Sequence, residues 1–472
     1  MKKTKIVTSI GPASSNFETF KEMVLAGANI ARINFSHATI EEREQVVKVV
    51  KEVRAALNQD VAILYDTKGP EFRNGEVIES GINLIPGNTI RVVKDNIIGN
   101  QDAFSVNHPN ALDSINIGNI ILLENGLMKM QVIDKNVDGL TCKIINGGIL
   151  YSKKSLSVPG VKLNMPFISQ TDYDDIVYAC HHDGNFLALS FVSEASEVEE
   201  VRKILENEGR KDIKIISKIE SKTGLDNLES IAEVSDGIMV ARGDLGVEVS
   251  MYELPIYQKK IASTCRDHNI ICIVATEMLE SMKHNPRPTR AEVTDIANAV
   301  YNGTDAVMLS GETTTGKYPV EAVKCMAEVC EHIEKSIVYK NVFAKSTSAT
   351  PTDAVVKGIV EAANSISAKL IVVPTFSGLS AKLISNLEPD APILALVSSK
   401  EVAYSLQANY GVYTKVVGYY NTMDEMFSKA VEESKQFINL SSGDNIIITG
   451  GFKANNPNSD SVPTNLMKIE TI

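Results

Sequence analysis

The sequence predicts an α/β protein: a closed (β/α)8 barrel of the TIM type, an antiparallel β lid domain inserted into it, and a C-terminal α/β sheet domain. Three observations predict this. Eight short β-type runs share one design, an apolar body with a polar end, and most are separated by segments of helical periodicity. Strand–helix alternation indicates a parallel sheet, and eight such units match a closed barrel. Between Pro70 and about Gly160 the pattern changes to turn-rich, alternating β sequence, and a new strand–helix alternation begins after a polar stretch beyond Lys335. The pattern alone leaves open one competing architecture, a doubly wound open sheet.

The first part of the barrel, residues 1–69, holds TKIVTSIG, ANIARINFS and VAILYDT, separated by the amphipathic segments NFETFKEMVLAG and EEREQVVKVVKEVRAAL. The inserted domain, 70–160, carries the turn signals IPGN, IGNI, LENG and NGGI between alternating stretches such as TIRVVKD and LMKMQVID. An insertion of this size in a βα loop at the active-site face is placed to act as a lid. The barrel resumes over 161–335 with FLALSFVS, IKIISKIE, GIMVARGD, ICIVATEM and AVMLSGE. The stretch AKSTSATPTD marks a boundary, and 336–472 form the C-terminal domain with KLIVVPT, PILALVSS, VYTKVV and NIIITGG, closed by LMKIETI.

A 44% hydrophobic, 22% charged composition suits a soluble globular enzyme and argues against disorder. The net charge of −12 argues against nucleic acid as a main partner, and any anionic substrate must be held by locally placed cations. The six cysteines form no CxxC pair and read as buried thiols in a reducing compartment. The start MKKTKIVTSIGPASS has too short an apolar run for a signal peptide, and no run of about 18 apolar residues appears elsewhere. The expected location is cytoplasmic, with no membrane span.

In a barrel of this kind the active site lies at the C-terminal strand ends. Here those ends carry Asn34, Ser36, Asp66, Thr67, Ser190, Lys218, Glu220, Asp244, Thr276, Ser310 and Glu312. Strand period two sends Lys218 and Glu220 to one side. A cation beside a carboxylate, with Asp244 on the next strand, makes a minimal site for a divalent ion and a phosphoryl group, since Mg²⁺ takes one or two protein carboxylates and fills its other positions with water and phosphate oxygens. The oxygens of Asn34, Ser36, Asp66 and Thr67 suit a small cage for a hard cation, and Arg32 and Arg73 suit carboxylate or phosphate. Any one of these strand ends also reads as a helix N-cap or a solvated rim. Six or seven together, with complementary charges, do not.

The segments ARINFSH, DTKGPEFR, IISKIE, ARGDLGVE, TRAEVTDIANAV, YNGTDAVMLSGET and TNLMK resemble the motifs of the pyruvate kinase family, in that family's order from residue 4 to residue 469. The resemblance implies transfer of a phosphoryl group from phosphoenolpyruvate to ADP, giving pyruvate and ATP, the last step of glycolysis. Lys218 matches the lysine that neutralises the migrating phosphoryl group, and Arg32 the arginine that binds phosphate. Glu220 and Asp244 match the ligands of Mg²⁺ (or Mn²⁺). Gly243 and Asp244 would offer backbone N–H groups to the substrate carboxylate at a short helix N-terminus, beside the hydroxyl of Thr276. Thr276 and Ser310 are candidates for the water relay that protonates enolpyruvate. Asn34, Ser36, Asp66 and Thr67 match K⁺ ligands, while Asn34, His37, Arg73 and Lys154 fall on the nucleotide side. Glu71 implies dependence on K⁺, because family members with lysine at the matching position tend not to need a monovalent cation. A homotetramer is what the family implies.

In VPTFSGLSAKLIS, Thr375, Ser377, Gly378 and Ser380 lie between a strand and a helix, where hydroxyls and N–H groups suit a phosphate. Ordinary N-capping explains the same residues. The resemblance implies a sugar-phosphate or nucleotide activator there, and the long polar loop GGFKANNPNSDSVPTNLM leaves its identity open. Three stretches depart from the family pattern: SKKSLSVPG in place of SKKGVNLPG, Glu277 in place of glutamine, and SFVSEAS without an arginine. Two other functions compete. A Mg²⁺-dependent lyase or aldolase acting on pyruvate-like substrates needs the carboxylates but not DTKGPEFR or Lys154. A catalytically dead metabolite-binding protein would be expected to lack Lys218 or a metal carboxylate, and all are present.

Overall fold

Eight parallel strands close into a barrel: β1 Lys5–Ser9, β2 Ile30–Asn34, β3 Ala62–Asp66, β4 Phe186–Leu189, β5 Lys214–Ile219, β6 Gly237–Ala241, β7 Ile271–Ala275 and β8 Ala306–Leu309. The structure is a computed structural model that describes residues 1–337, 350–418, 420, 422–451 and 464–472. Each strand pairs with its chain neighbour, and β8 returns to β1 with Lys5 opposite Ala306. That closure excludes the open sheet. Strand side chains alternate, so Val7, Leu64, Phe186, Ile216, Met239 and Ile273 fill the lumen, while the other face packs under the surrounding helices. Ala408 and Tyr404 from the C-terminal segment join the lumen cluster and plug the barrel's base.

Local sequence starts the helices that separate the strands. Thr39 with Glu42, Ser169 with Asp172 and Thr289 with Glu292 form reciprocal capping boxes, which satisfy N–H groups left unpaired in a first turn. Two expected strand ends shift. GIMVARGD leaves the strand at Ala241, and Asp244 stands in the first turn of the helix Arg242–Glu248. IKIISKIE ends at Ile219, so Glu220 is the first residue beyond the strand.

The inserted segment forms a six-stranded sheet and a separate two-stranded pair, Ile82–Leu84 with Gly148–Leu150. Its own apolar cluster includes Phe104, Ile121, Met130 and Cys142. The sheet is antiparallel except at one place: Thr89–Val93 pairs in parallel with Ala103–Ser105, because residues 94–102 carry the chain back before the next strand starts. At the hinge into this domain Gly69 has φ 68°, and a Cβ there would lie 2.8 Å from the Ser190 carbonyl oxygen. Only glycine fits DTKGPE at that point.

The C-terminal sheet has the order β11–β10–β9–β12–β13, with β9 Leu370–Thr375, β10 Ile393–Val397, β11 Val412–Val416, β12 Asn445–Gly450 and β13 Leu466–Thr471. The first four are parallel and β13 is antiparallel to β12. Most of the boundary stretch AKSTSATPTD and of the loop GGFKANNPNSDSVPTNLM lies outside the described residues. Among the described residues no helix is long and apolar enough to cross a membrane.

Candidate active site

Closing the barrel brings Lys218, at the end of β5, between two carboxylates. Its ammonium lies 3.1 Å from Asp66 Oδ1 and 3.1 Å from Glu220 Oε1, and donates to Ser190 Oγ at 2.7 Å. On the other side of Asp66, Arg32 Nε donates to Oδ2 at 2.7 Å and its Nη1 donates to Ser9 Oγ at 2.7 Å. Burial works against charge on Asp66, yet the Arg32 and Lys218 cations hold its pKa below the ordinary value. Burial likewise works against the Lys218 ammonium, and Asp66 and Glu220 more than offset it, so its pKa is raised.

Glu220 and Asp244 behave differently. Burial pushes Glu220 up to about 7, with Lys218 opposing and the charges of Asp244 and Asp66 adding to the rise. Burial also raises Asp244, and Asp66 and Glu71 raise it further against Lys218. A buried carboxylate, Glu220, and one exposed to the cleft, Asp244, repel one another and form an oxygen donor set short of positive charge, which fits a hard divalent cation. Phe191, at φ 59°, turns its N–H onto Glu220 Oε2 at 2.7 Å and fixes that carboxylate in place.

Asn34 and Asp66 are register partners on adjacent strands. Asn34 Oδ1 accepts from Ser36 N–H at 3.0 Å, Thr67 Oγ1 accepts from Ser190 N–H at 3.2 Å, and Ser36 is exposed. At β7, Thr276 follows the last strand residue, and its Oγ1 accepts from Gly243 N–H at 2.9 Å. Ser310 follows β8 and donates its N–H to Glu312 Oε2 at 2.8 Å.

A cleft of about 450 Å³ separates the barrel top from the lid, and Glu220, Asp244, Glu71, Arg73, Glu124 and Lys154 all line it. Glu220 and Asp244, expected to hold a metal, and Arg73 and Lys154, expected on the nucleotide side, therefore share one cavity. Both cations are paired: Arg73 donates to Glu71 at 3.0 and 2.7 Å and to the Lys153 carbonyl at 2.8 Å, and Lys154 lies 2.7 Å from Glu124. His37 is exposed on the turn after β2, and neither it nor Asn34, Arg32, Lys218, Thr276 or Ser310 lines the cleft, which meets the strand ends at Glu220 and Asp244. Glu71, the residue expected to mark dependence on K⁺, is the carboxylate that pairs with Arg73. Burial works against its ionised form, but the Arg73 hydrogen bonds and charge, with Lys68, hold its pKa down.

The departure SKKSLSVPG keeps Lys154 at the cleft: Arg73 and Ser155 form a β-bridge, and Ser155 Oγ donates to Asn125 Oδ1 at 3.0 Å. In the C-terminal domain Gly378 N–H donates to Thr375 Oγ1 at 3.1 Å, Gly378 has φ 82°, and Ser380 Oγ contacts Thr464 Oγ1. Thr375, Ser377, Gly378 and Ser380 run from the end of β9 into the first turn of the helix Leu379–Asn386, and none of them lines the cleft. Sequence reasoning missed Ser9, which anchors Arg32, and left Ser190 as one polar strand end among many. Only the juxtaposition of β1 with β2, and of β4 with β5, reveals their partners.

Residues 1–323 match the barrel-domain model of pyruvate kinases, and residues 353–470 match their alpha/beta-domain model. The whole chain is 41% identical to a pyruvate kinase of Bacillus licheniformis, covering 81% of that protein. It is 37% identical to one of Clostridium perfringens, each covered over its full length. A crystal structure of a pyruvate kinase from Cryptosporidium parvum superposes with a TM-score of 0.94 at 36% identity, covering all of this chain and 96% of that one. The lyase or aldolase reading is not favoured by these matches. Fold, cleft and full-length similarity agree: the chain belongs to the pyruvate kinase family, the phosphotransferases that move the phosphoryl group of phosphoenolpyruvate to ADP.

Proposed function

We propose that phosphoryl transfer takes place beside the Lys218 ammonium, at the point where the cleft between the barrel and the lid meets the strand ends through Glu220 and Asp244. The observation that carries this reading is the placement of Lys218 between Asp66 and Glu220 at the strand ends. Phosphoryl transfer asks a protein chiefly for positioning and for positive charge around the equatorial oxygens. Lys218 and Arg32 supply fixed positive charge. The Thr276 hydroxyl and the Asp244 N–H receive the substrate carboxylate, and the Gly243 N–H joins them when it exchanges its bond to Thr276 Oγ1 for a carboxylate oxygen. Arg73 and Lys154, with Asn34 and His37, form the nucleotide side, where Arg73 and Lys154 exchange carboxylate partners for diphosphate oxygens. As the phosphorus–oxygen bond to the enol oxygen breaks and the bond to ADP forms, the enolate left behind takes a proton at C3 through water held by Thr276 and Ser310.

Glu220 and Asp244 would hold Mg²⁺ or Mn²⁺, which supplies positive charge to carboxylate and phosphate oxygens. Asn34, Ser36, Asp66 and Thr67 would hold K⁺, which adds charge the protein itself does not provide. Both sets carry the oxygen chemistry these hard cations take. The division 1–69, 70–160, 161–335 and 336–472 is proposed as the domain layout, supported by separate apolar clusters in the barrel, lid and C-terminal sheet. A homotetramer in the cytoplasm, with a sugar-phosphate or nucleotide activator at Thr375, Ser377, Gly378 and Ser380, completes the reading. The decisive experiment is Mn²⁺ binding and ATP formation in Glu220→Gln and Asp244→Asn. Both variants should lose Mn²⁺ affinity by about 10-fold or more together with turnover. Unchanged Mn²⁺ binding in both would overturn the metal assignment. A coupled assay with a panel of sugar phosphates and AMP identifies the activator.

A further inference from the structure

Thr276 and Glu277, just beyond β7, are consecutive non-glycine residues in the left-handed region, with φ of 71° and 55°. For a β-branched residue such as Thr276 that conformation is an outlier, and it persists only when its surroundings over-determine it. One side chain meets this turn at three points. Arg242 Nη2 donates to the Thr276 carbonyl at 2.5 Å and lies 2.8 Å from Met278 Sδ, and Nε donates to the Ala275 carbonyl at 3.3 Å. The guanidinium therefore grips the chain on both sides of the two left-handed residues. Its Nη1 is held in turn by both carboxylate oxygens of Asp295, at 2.7 Å each, from the helix Arg290–Tyr301.

Arg242 is buried, opens the helix that carries Asp244, and immediately precedes Gly243, whose N–H meets Thr276 Oγ1. A small ring results. The Arg242 side chain fixes the Thr276 main chain, and the Thr276 side chain caps the main chain next to Arg242. Of this group only Asp244 lines the cleft; Arg242 and Asp295 stand behind it, as do Thr276 and Gly243.

We propose that Arg242, oriented by Asp295, is a positioning residue for the carboxylate of phosphoenolpyruvate: it holds Thr276 in its left-handed conformation and so aims the Thr276 hydroxyl and the first N–H groups of the Asp244 helix at one point. The inference rests on the reading that Thr276, Gly243 and Asp244 receive that carboxylate. A fork of donors in one plane is what reaches two carbonyls, a thioether and a carboxylate together, and a lysine ammonium does not span them. The effect is specific to one substrate, because the ADP side is built from Arg73 and Lys154 on the lid segment and from Asn34 at the end of β2 and His37 after it, none of which Arg242 touches.

The test is steady-state kinetics of the full chain with phosphoenolpyruvate and ADP varied separately, in Arg242→Lys, Asp295→Asn, Thr276→Ala and the Arg242→Lys/Thr276→Ala double variant. Arg242→Lys and Asp295→Asn should raise the KM for phosphoenolpyruvate by about tenfold or more and leave the KM for ADP within about twofold. The double variant should lose less than the sum of the two single losses, because Arg242 acts through Thr276. If Thr276→Ala leaves phosphoenolpyruvate kinetics unchanged, the carboxylate reading fails and this inference with it. If Thr276→Ala is impaired while Arg242→Lys and Asp295→Asn behave as wild type, only the clamp is wrong. Equal rises in both KM values, or full additivity, would reduce Arg242 to general structural support. Should Arg242→Lys not fold, Asp295→Asn decides, and failure of both to fold would overturn a positioning role.

Discussion

Replacing Lys218 by Met removes one buried positive charge while keeping most of the side chain's length. In the structure that charge lies 3.1 Å from each of two carboxylate oxygens, so the same distance is a fair measure of its reach to a phosphoryl oxygen. Two unit charges about 3 Å apart interact by roughly 5 kcal/mol at an effective dielectric constant near 20. A transition state that has lost that attraction turns over about 10³-fold or more slowly, since each 1.36 kcal/mol is tenfold. The lost charge also leaves Glu220 facing Asp66 with no cation between them, but Arg32 still pairs with Asp66 at 2.7 Å. The fold should therefore survive, and the carboxylates should still bind Mn²⁺. ATP formation from phosphoenolpyruvate and ADP, measured beside Mn²⁺ titration and thermal unfolding, separates these effects. Turnover within tenfold of wild type would refute the assignment of Lys218 to the migrating group.

Three further outcomes are expected. Wild-type activity should fall about tenfold or more when K⁺ is replaced by tetramethylammonium at constant ionic strength, with Na⁺ and Li⁺ poorer activators than K⁺; Glu71→Lys should recover part of the loss, and full wild-type activity without a monovalent cation would sink the idea. Ser377→Asp with Ser380→Asp should abolish activation by whichever phosphate compound activates, with a nearly unchanged basal rate; unaltered activation would move the effector elsewhere. Lys5, on β1, lies wholly buried with its ammonium 4.6 Å from the Tyr413 ring centroid and donating to the Val412 carbonyl. Burial, then the Lys2 charge, lowers its pKa to about 7 against the pull of Glu334. Between about pH 7 and the ordinary lysine value the folded state holds fewer protons than the unfolded chain, so stability rises with pH there, by at most about 1.4 kcal/mol per pH unit. Lys5→Met should flatten that rise in unfolding midpoints between pH 7 and 9.5, and identical slopes would refute it.

Local chemistry made much of the architecture legible before any coordinates. Apolar bodies with polar ends are a property of a few consecutive residues, so all eight barrel strands appear where their runs stand, and Lys218 and Glu220 share one side because strand period and closeness in sequence require it. The turn signals of the lid are local in the same way: Gly87, Gly118 and Gly126 all have positive φ at the predicted turns. The strand pattern alone carried GIMVARGD to Asp244, whereas the family resemblance implied a short helix N-terminus at Gly243 and Asp244, and the helix Arg242–Glu248 stands there.

What only the tertiary structure decided is the choice of partners. Ser9 meets Arg32, Ser190 meets Lys218, and Asp295 meets Arg242 across separations of 23, 28 and 53 residues. Arg73 turns to Glu71 rather than standing free, and one lid pair runs parallel in an otherwise antiparallel sheet. A sequence states what each side chain can bond; closing a barrel sets which of those groups arrive within 3 Å of one another. The hydrogen bonds and ion pairs that tune this site are short-ranged, so they are settled by that convergence and not by any spacing along the chain.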